Sequence, residues 1–183
     1  ANRIVARLVS AAAVHFAETA PYFRNSEVTG VPVRSAFFEI AGKASASLKP
    51  TLLVFGGSQG AQAINKAMIE AVKGLRVRLP AIHLVHQTGE RDYNDAATAY
   101  AEIGGPIQVF RFIDDMPGFF ARADLLVCRS GASTVAEVTA AGKPAILIPL
   151  PTATDDHQRK NAEALAAAGA AEVLLQQDVT GPV

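Results

Sequence analysis

The chain has 183 residues, half of them hydrophobic, with 17 basic side chains against 17 acidic ones. That length suits one sizeable domain, or one domain with part of another, and the balanced charge and apolar content argue against disorder and against a nucleic acid held on a basic face. The one cysteine, Cys128, excludes an intrachain disulfide, and no Cys/His cluster has zinc-site spacing.

The longest uncharged stretch, residues 50–65, is broken by glycines and is no span of about 20 apolar residues. The first residues carry no pattern of a secretory signal, and a reducing, cytoplasmic setting is expected. Residues 1–49 show a helix-like opening, an apolar run at 11–17, the turn-rich "RNSEVTGVPVRSAFF" and then "AGKASASLKP". This reads as the end of one domain followed by a linker, with a second domain over 50–183.

From Pro50 onward, short β-rich runs alternate with helical periodicity. Strands are expected at 51–55, 82–86, 107–113, 124–128, 145–149 and 172–175, separated by helical segments. That alternation is the pattern of an α/β, Rossmann-like, doubly wound parallel sheet. The first helix places Ile64, Ala67, Met68, Ala71, Val72 and Leu75 on one stripe and leaves Asn65, Lys66, Glu70 and Lys73 off it. A later helix should run from about Asp155 to Ala168 and stop at Gly169.

The stretch "TLLVFGGSQGAQ" at 51–62 carries an apolar strand into three glycines and straight on into the first helix. Glycines there let a backbone approach a ligand, while the helix aims free N–H groups and its positive dipole end at it, so phosphate is the natural guest. The loop is neither a Walker P-loop nor the dinucleotide Gly-x-Gly-x-x-Gly, and a plain strand-to-helix turn is the alternative. "CRSGASTVAE" at 128–137 repeats the arrangement, and two such openings on one sheet edge suit an extended phosphate-bearing ligand. Thr134-x-x-Glu137 matches a capping box, which spacing alone favours; a carboxylate beside a nucleotide would instead accept both ribose hydroxyls.

Asp114-Asp115 and Asp155-Asp156 each fall at a helix start, where capping explains them without a metal. His15, His83 and His86 lie in strand-like runs as core or edge residues, and Cys128 reads as buried and inert.

Taken together, "GGSQGAQAIN", "HQTG", "FIDDM", "CRSGASTVAE", "AAGKPAILIPLP" and "DDHQRKNA" resemble the peptidoglycan UDP-N-acetylglucosamine transferase (MurG) family. "TGVPVR" is similar to that family's Thr-Gly-Asn-Pro-Val-Arg segment, with Val31 in place of asparagine. The resemblance implies one half of a GT-B glycosyltransferase: residues 1–49 would end the acceptor domain, and 50–183 would be the UDP-sugar-binding domain, truncated at its end. It implies transfer of N-acetylglucosamine from UDP-N-acetylglucosamine to lipid I, peripherally at the cytoplasmic face of the bacterial inner membrane, without cofactor or metal. The general base would lie in the facing domain.

By the same resemblance, Ser58 would border the donor phosphates and Arg34 would reach the donor site. Ile113 would pair with uracil through its backbone donor and acceptor. Ala132, Ser133 and Thr134 would meet sugar and pyrophosphate, Glu137 would hold the ribose, and Gln158, with His157 beside it, would contact the sugar hydroxyls.

Overall fold

The computed structural model describes residues 6, 8–14, 17–41, 49–153 and 156–180. The chain falls into two compact units, Ala1–Val33 and Arg34–Val183. In the first, β1 (Ala12–Val14) pairs in parallel with β2 (Ser26–Val28), joined through a short 3-10 helix at Ala17–Tyr22. His15 and most of the helix-like opening lie outside the described residues; of that opening, residues 6 and 8–10 are described and are not helical.

The second unit opens with α1 (Ser35–Phe38). Phe37 is fully buried, its ring edge-on to Phe120 at 5.0 Å, and Phe120 in turn meets Phe55 at 5.7 Å. This aromatic cluster holds α1 on the second unit, which therefore starts ahead of Pro50, where the linker-like composition puts the boundary.

Six parallel strands follow: β3 (Thr51–Phe55), β4 (His83–Gln87), β5 (Ile107–Phe110), β6 (Leu125–Cys128), β7 (Ala145–Leu147) and β8 (Ala171–Val173). Their spatial order is β5-β4-β3-β6-β7-β8, every pair parallel. Between them run α2 (Gln62–Arg78), α3 (Tyr93–Ile103), α4 (Met116–Arg122), α5 (Ala132–Ala141) and α6 (His157–Ala167). All six expected strands are present, and the fold is the doubly wound α/β sheet.

Strand interiors are mostly apolar, as a sheet covered on both faces requires: Leu53, Val54, Leu84, Leu126 and Leu147 are at most 1% exposed, and His86 and Gln87 of β4 are the buried polar exceptions among them. On α2 the stripe of Ile64, Ala67, Met68 and Val72 packs inward as the period dictates. Asn65, expected off that stripe, is also buried, because it belongs to a polar network. Its Nδ2 donates to the Thr88 carbonyl at 2.9 Å and to Asp92 Oδ2 at 2.8 Å, and its Oδ1 meets His86 Nε2 at 3.0 Å. His86 Nδ1 meets the Tyr100 hydroxyl at 2.8 Å, and burial holds the His86 pKa down at about 3. His86 is thus a neutral core residue, whereas His83 is exposed at the start of β4.

α6 ends as expected, with Gly169 in the left-handed conformation at φ 71°. Cys128 is fully buried, and burial with the Glu137 charge pushes its thiol pKa up. Strand β5 stops at Phe110 rather than running on to 113, which frees residues 111–113 to turn across the sheet edge.

Candidate functional site

The order of the strands decides where the site lies. After β3 the chain winds outward through β4 and β5, then returns to place β6 on the other side of β3. The crevice at the carboxyl ends of β3 and β6 is therefore the switch point of the sheet, where open α/β folds take their ligands. Phe55 and Cys128 are paired in register, so the glycine loop and residues 129–131 leave the sheet at one level. A cleft of about 550 Å³ opens there, lined among others by Gly57, Gln62, Arg129, Gly131, Thr134 and Gln158.

Two helices start at this cleft, and neither start is capped by a side chain. The N-cap of α2 is Ala61 and that of α5 is Gly131. Their first N–H groups are left for whatever enters the cleft, together with the positive ends of both helix dipoles. Thr134 lies inside α5, three residues beyond its N-cap, so the expected capping box with Glu137 does not form. The local spacing was compatible with a box, but Gly131 starts the helix earlier.

The glycine loop is built differently from the simplest expectation. A Cβ on Gly60 (φ 74°) would strike the Thr88 carbonyl, and one on Gly89 (φ 80°) would strike that of Gln59. Those glycines serve the packing of loop on loop. Gly57 (φ 89°) is the open one, since a Cβ there would meet nothing within 4 Å. Ser58 sits exposed in the turn closed by the 2.9 Å bond from Gly60 N–H to the Gly57 carbonyl.

Glu137 stands one turn beyond Thr134 on α5, with Arg34 Nη2 at 3.7 Å from its Oε1. Two residues far apart in sequence, both expected at the donor site, thus meet. Arg34 is fixed in turn by its guanidinium lying over the Phe37 ring at 5.1 Å from the centroid. Burial raises the Glu137 pKa, and the Arg34 charge partly offsets this.

Of Ala132, Ser133 and Thr134 in the first turn of α5, Thr134 lines the cleft and Ser133 faces solvent. Gln158 lines it as well, and its Oε1 accepts the Leu150 N–H at 3.0 Å, which leaves its amide NH2 as the end not used in that bond. The backbone of Gln158 is pinned by Ser130 Oγ, which donates to its carbonyl at 2.8 Å. His157 is exposed at the start of α6. Asp156, the N-cap of that helix, sits at φ 54° and makes no side-chain capping bond, contrary to expectation, and Asp155 lies outside the described residues. Asp115 does cap α4, accepting the Gly118 N–H at 3.0 Å.

Ile113 departs from its expected role in one respect. Its N–H donates to Gln87 Oε1 at 3.1 Å, so the backbone donor assigned to uracil is already engaged. Arg129 was missed at the sequence level. Its Nη1 donates to the carbonyls of Ile148 and Pro149, both at 3.0 Å, and Nη2 to Gln176 Oε1 at 2.5 Å, which sets a cation in the cleft wall. An arginine directly after an apolar strand has no spacing that would single it out.

The glycosyltransferase family 28 C-terminal domain model matches residues 51–182 of the chain. The chain belongs to this family. Among curated relatives, the UDP-N-acetylglucosamine--N-acetylmuramyl-(pentapeptide) pyrophosphoryl-undecaprenol N-acetylglucosamine transferase of Solibacter usitatus (strain Ellin6076) is 47% identical over 182 residues, covering 98% of this chain and 50% of that protein. The crystal structure of Acinetobacter baumannii MurG superposes with a TM-score of 0.76 at 34% identity, over 98% of this chain and 51% of the other. The glycotransferase of kitacinnamycin superposes with a TM-score of 0.63 at 23% identity, over 86% of this chain and 38% of the other, and so shares the fold. The family 28 chain described here spans about half the length of the curated relatives it matches.

Proposed function

We propose that this chain binds UDP-N-acetylglucosamine for an inverting transferase that moves the sugar to lipid I, forming lipid II in peptidoglycan synthesis. The observation that carries this reading is the switch-point cleft onto which two helices without side-chain caps open, with Glu137 and Arg34 paired one turn along α5. Together with family 28 membership, it favours a diphosphate flanked by a ribose.

In this reading the pyrophosphate lies between the starts of α2 and α5, bordered by Gly57, Ser58 and the first turn 132–134. Glu137 accepts the ribose hydroxyls, the 111–113 segment meets uracil, and Gln158, with His157 nearby, meets N-acetylglucosamine. The acceptor hydroxyl displaces UDP at the anomeric carbon. Negative charge grows on the departing diphosphate as that bond breaks, and prealigned N–H dipoles with the Arg129 cation stabilise it without reorganisation. The general base and the lipid I contacts belong, on this view, to a facing acceptor domain of a GT-B enzyme.

No helix among the described residues is long and apolar enough to cross a membrane. Work on a lipid-linked acceptor is, on this reading, peripheral, at the cytoplasmic face of the inner membrane.

A calorimetric titration with UDP-N-acetylglucosamine, UDP-glucose and ADP tests the donor assignment. Tightest binding of UDP-N-acetylglucosamine and none of ADP is expected, and equal affinity for all three overturns it. Transfer to a lipid I analogue should be absent from this chain by itself, because acceptor orientation supplies roughly 7–11 kcal/mol of such a barrier.

A further inference from the structure

Gln87 ends β4 level with Phe55 of β3 and is 1% exposed. A buried carboxamide is costly unless both its ends are satisfied, and here they are satisfied by two different loops. Nε2 donates to the Gly57 carbonyl at 2.9 Å, and Oε1 accepts the Ile113 N–H at 3.1 Å. The orientation of the amide follows from its partners, since a carbonyl can only accept and an N–H can only donate. Gly57 lies in the loop after β3 and Ile113 in the segment after β5, with β4 between those strands. One side chain thus spans from the glycine loop to the residue assigned to the base.

The next residue, Thr88, donates its N–H to the Phe110 carbonyl at 2.9 Å, while its own carbonyl accepts from Asn65 and stands against Gly60. Strand end, glycine loop and base segment therefore share one set of backbone contacts.

We propose that Gln87 is a positioning and base-specificity residue, which holds the glycine loop and the 111–113 segment at one spacing and occupies the Ile113 N–H. This rests on the uridine diphosphate sugar reading given above. With its donor engaged, Ile113 offers the nucleobase its carbonyl acceptor. Uracil presents an imide N–H that such an acceptor satisfies, whereas cytosine presents a bare ring nitrogen that it leaves unpaired. Buried unpaired groups are what a site of this kind rejects most strongly.

Gln87→Leu and Gln87→Glu in the 183-residue chain separate the two bonds. Each variant is titrated with UDP, CDP and inorganic pyrophosphate, and amide hydrogen exchange at Ile113 and Gly60 is followed without ligand. Gln87→Leu frees the Ile113 N–H: its exchange should quicken, UDP affinity should fall about tenfold, and the preference for UDP over CDP should shrink. Gln87→Glu keeps an acceptor towards Ile113 but turns an oxygen on the Gly57 carbonyl. It should keep the UDP preference and lose affinity for pyrophosphate, with faster exchange at Gly60.

Gln87→Leu retaining the wild-type preference for UDP overturns the specificity role. Equal losses of all three ligands in both variants, with lowered melting temperature, reduce Gln87 to a packing residue and overturn the proposal. A wild-type chain that binds none of the three, while Ile113 exchange still responds to Gln87→Leu, overturns the donor-site reading and the specificity role and leaves the bridge standing as structure.

Discussion

The helices that run between the strands of the sheet start in two ways. Where α3, α4 and α6 begin, the N-cap residue is aspartate: Asp92, Asp115 and Asp156. Where α2 and α5 begin, at the cleft, it is Ala61 and Gly131, which have no side-chain acceptor to give. An aspartate cap contributes on the order of 1 kcal/mol to a helix, so forgoing it twice at one place is a local loss of stability. The same aspartate would set a negative charge where, on the proposed reading, a diphosphate sits. Only Asp115 makes a capping bond, to the Gly118 N–H, while Asp92 and Asp156 make none; the contrast is therefore one of charge, an acidic side chain standing at the starts of α3, α4 and α6 and none at those of α2 and α5, which on the proposed reading leaves room for a diphosphate.

Gly131→Asp breaks that contrast most directly. Gly131 has φ −61° and ψ 152°, and a Cβ there meets nothing within 4 Å, so the aspartate fits and can cap α5. A carboxylate about 4 Å from the diphosphate costs roughly 4 kcal/mol at an effective dielectric near 20. UDP affinity should fall by a factor of about a hundred or more while the melting temperature holds or rises. Calorimetry and thermal melting on one preparation check both, and unchanged affinity would remove the start of α5 from the anion site.

Glu137→Gln comes next. Losing charge-assisted bonds to the ribose should cost about 2 kcal/mol, or some thirtyfold in UDP affinity. Its effect on stability has the opposite sign. Burial puts the folded pKa of Glu137 above its unfolded value, so stability is lost as pH rises from the ordinary carboxylate range through the raised pKa, and that loss is complete above it. The neutral variant should therefore melt no lower than wild type at neutral pH, and its advantage should vanish in acid. A melting temperature that drops at pH 7 would mark Glu137 as a structural residue.

Gln158→Ala sharpens the boundary between nucleotide and sugar. UDP-N-acetylglucosamine affinity should fall about fivefold, the scale of one neutral hydrogen bond, with UDP affinity unchanged; equal losses for both ligands would take Gln158 out of the sugar site. The smallest effect on binding belongs to Asp115→Ala, at a helix that does not open on the cleft. It should lower stability by about 1 kcal/mol through the lost bond to Gly118 and leave UDP affinity as it was, and a loss of affinity would show that capping and binding are not separated as the contrast implies.

Local pattern was sufficient for much of this architecture. β-rich runs separated by helical stripes have only one economical packing, a parallel sheet covered on both faces, and each expected strand is present within a few residues of its expected bounds. Boundaries slipped where hydrogen bonding rather than side-chain type sets the end. Ile113 looks like strand by composition, yet its N–H is taken by the side chain of Gln87 at the end of the neighbouring strand β4. Thr134 and Glu137 have the spacing of a capping box, but spacing cannot say that the helix has already begun at Gly131. Asn65 is polar and off the apolar stripe, and only the arrival of His86 and Thr88 from another strand makes its burial favourable.

The sequence by itself determined the fold class, the two glycine-marked strand-to-helix turns, and a set of residues resembling one transferase family. These follow from periodicity, turn chemistry and residue type, which act over a few neighbours along the chain. Tertiary structure alone decided that the two turns lie side by side, because adjacency of β3 and β6 is a matter of strand order and 73 residues separate Thr51 from the Asp124 carboxylate to which its N–H donates. It also decided that Arg34 reaches Glu137 and that Gln87 joins Gly57 to Ile113. Such contacts depend on where the backbone carries each side chain once the core has packed, and no spacing along the chain encodes that distance.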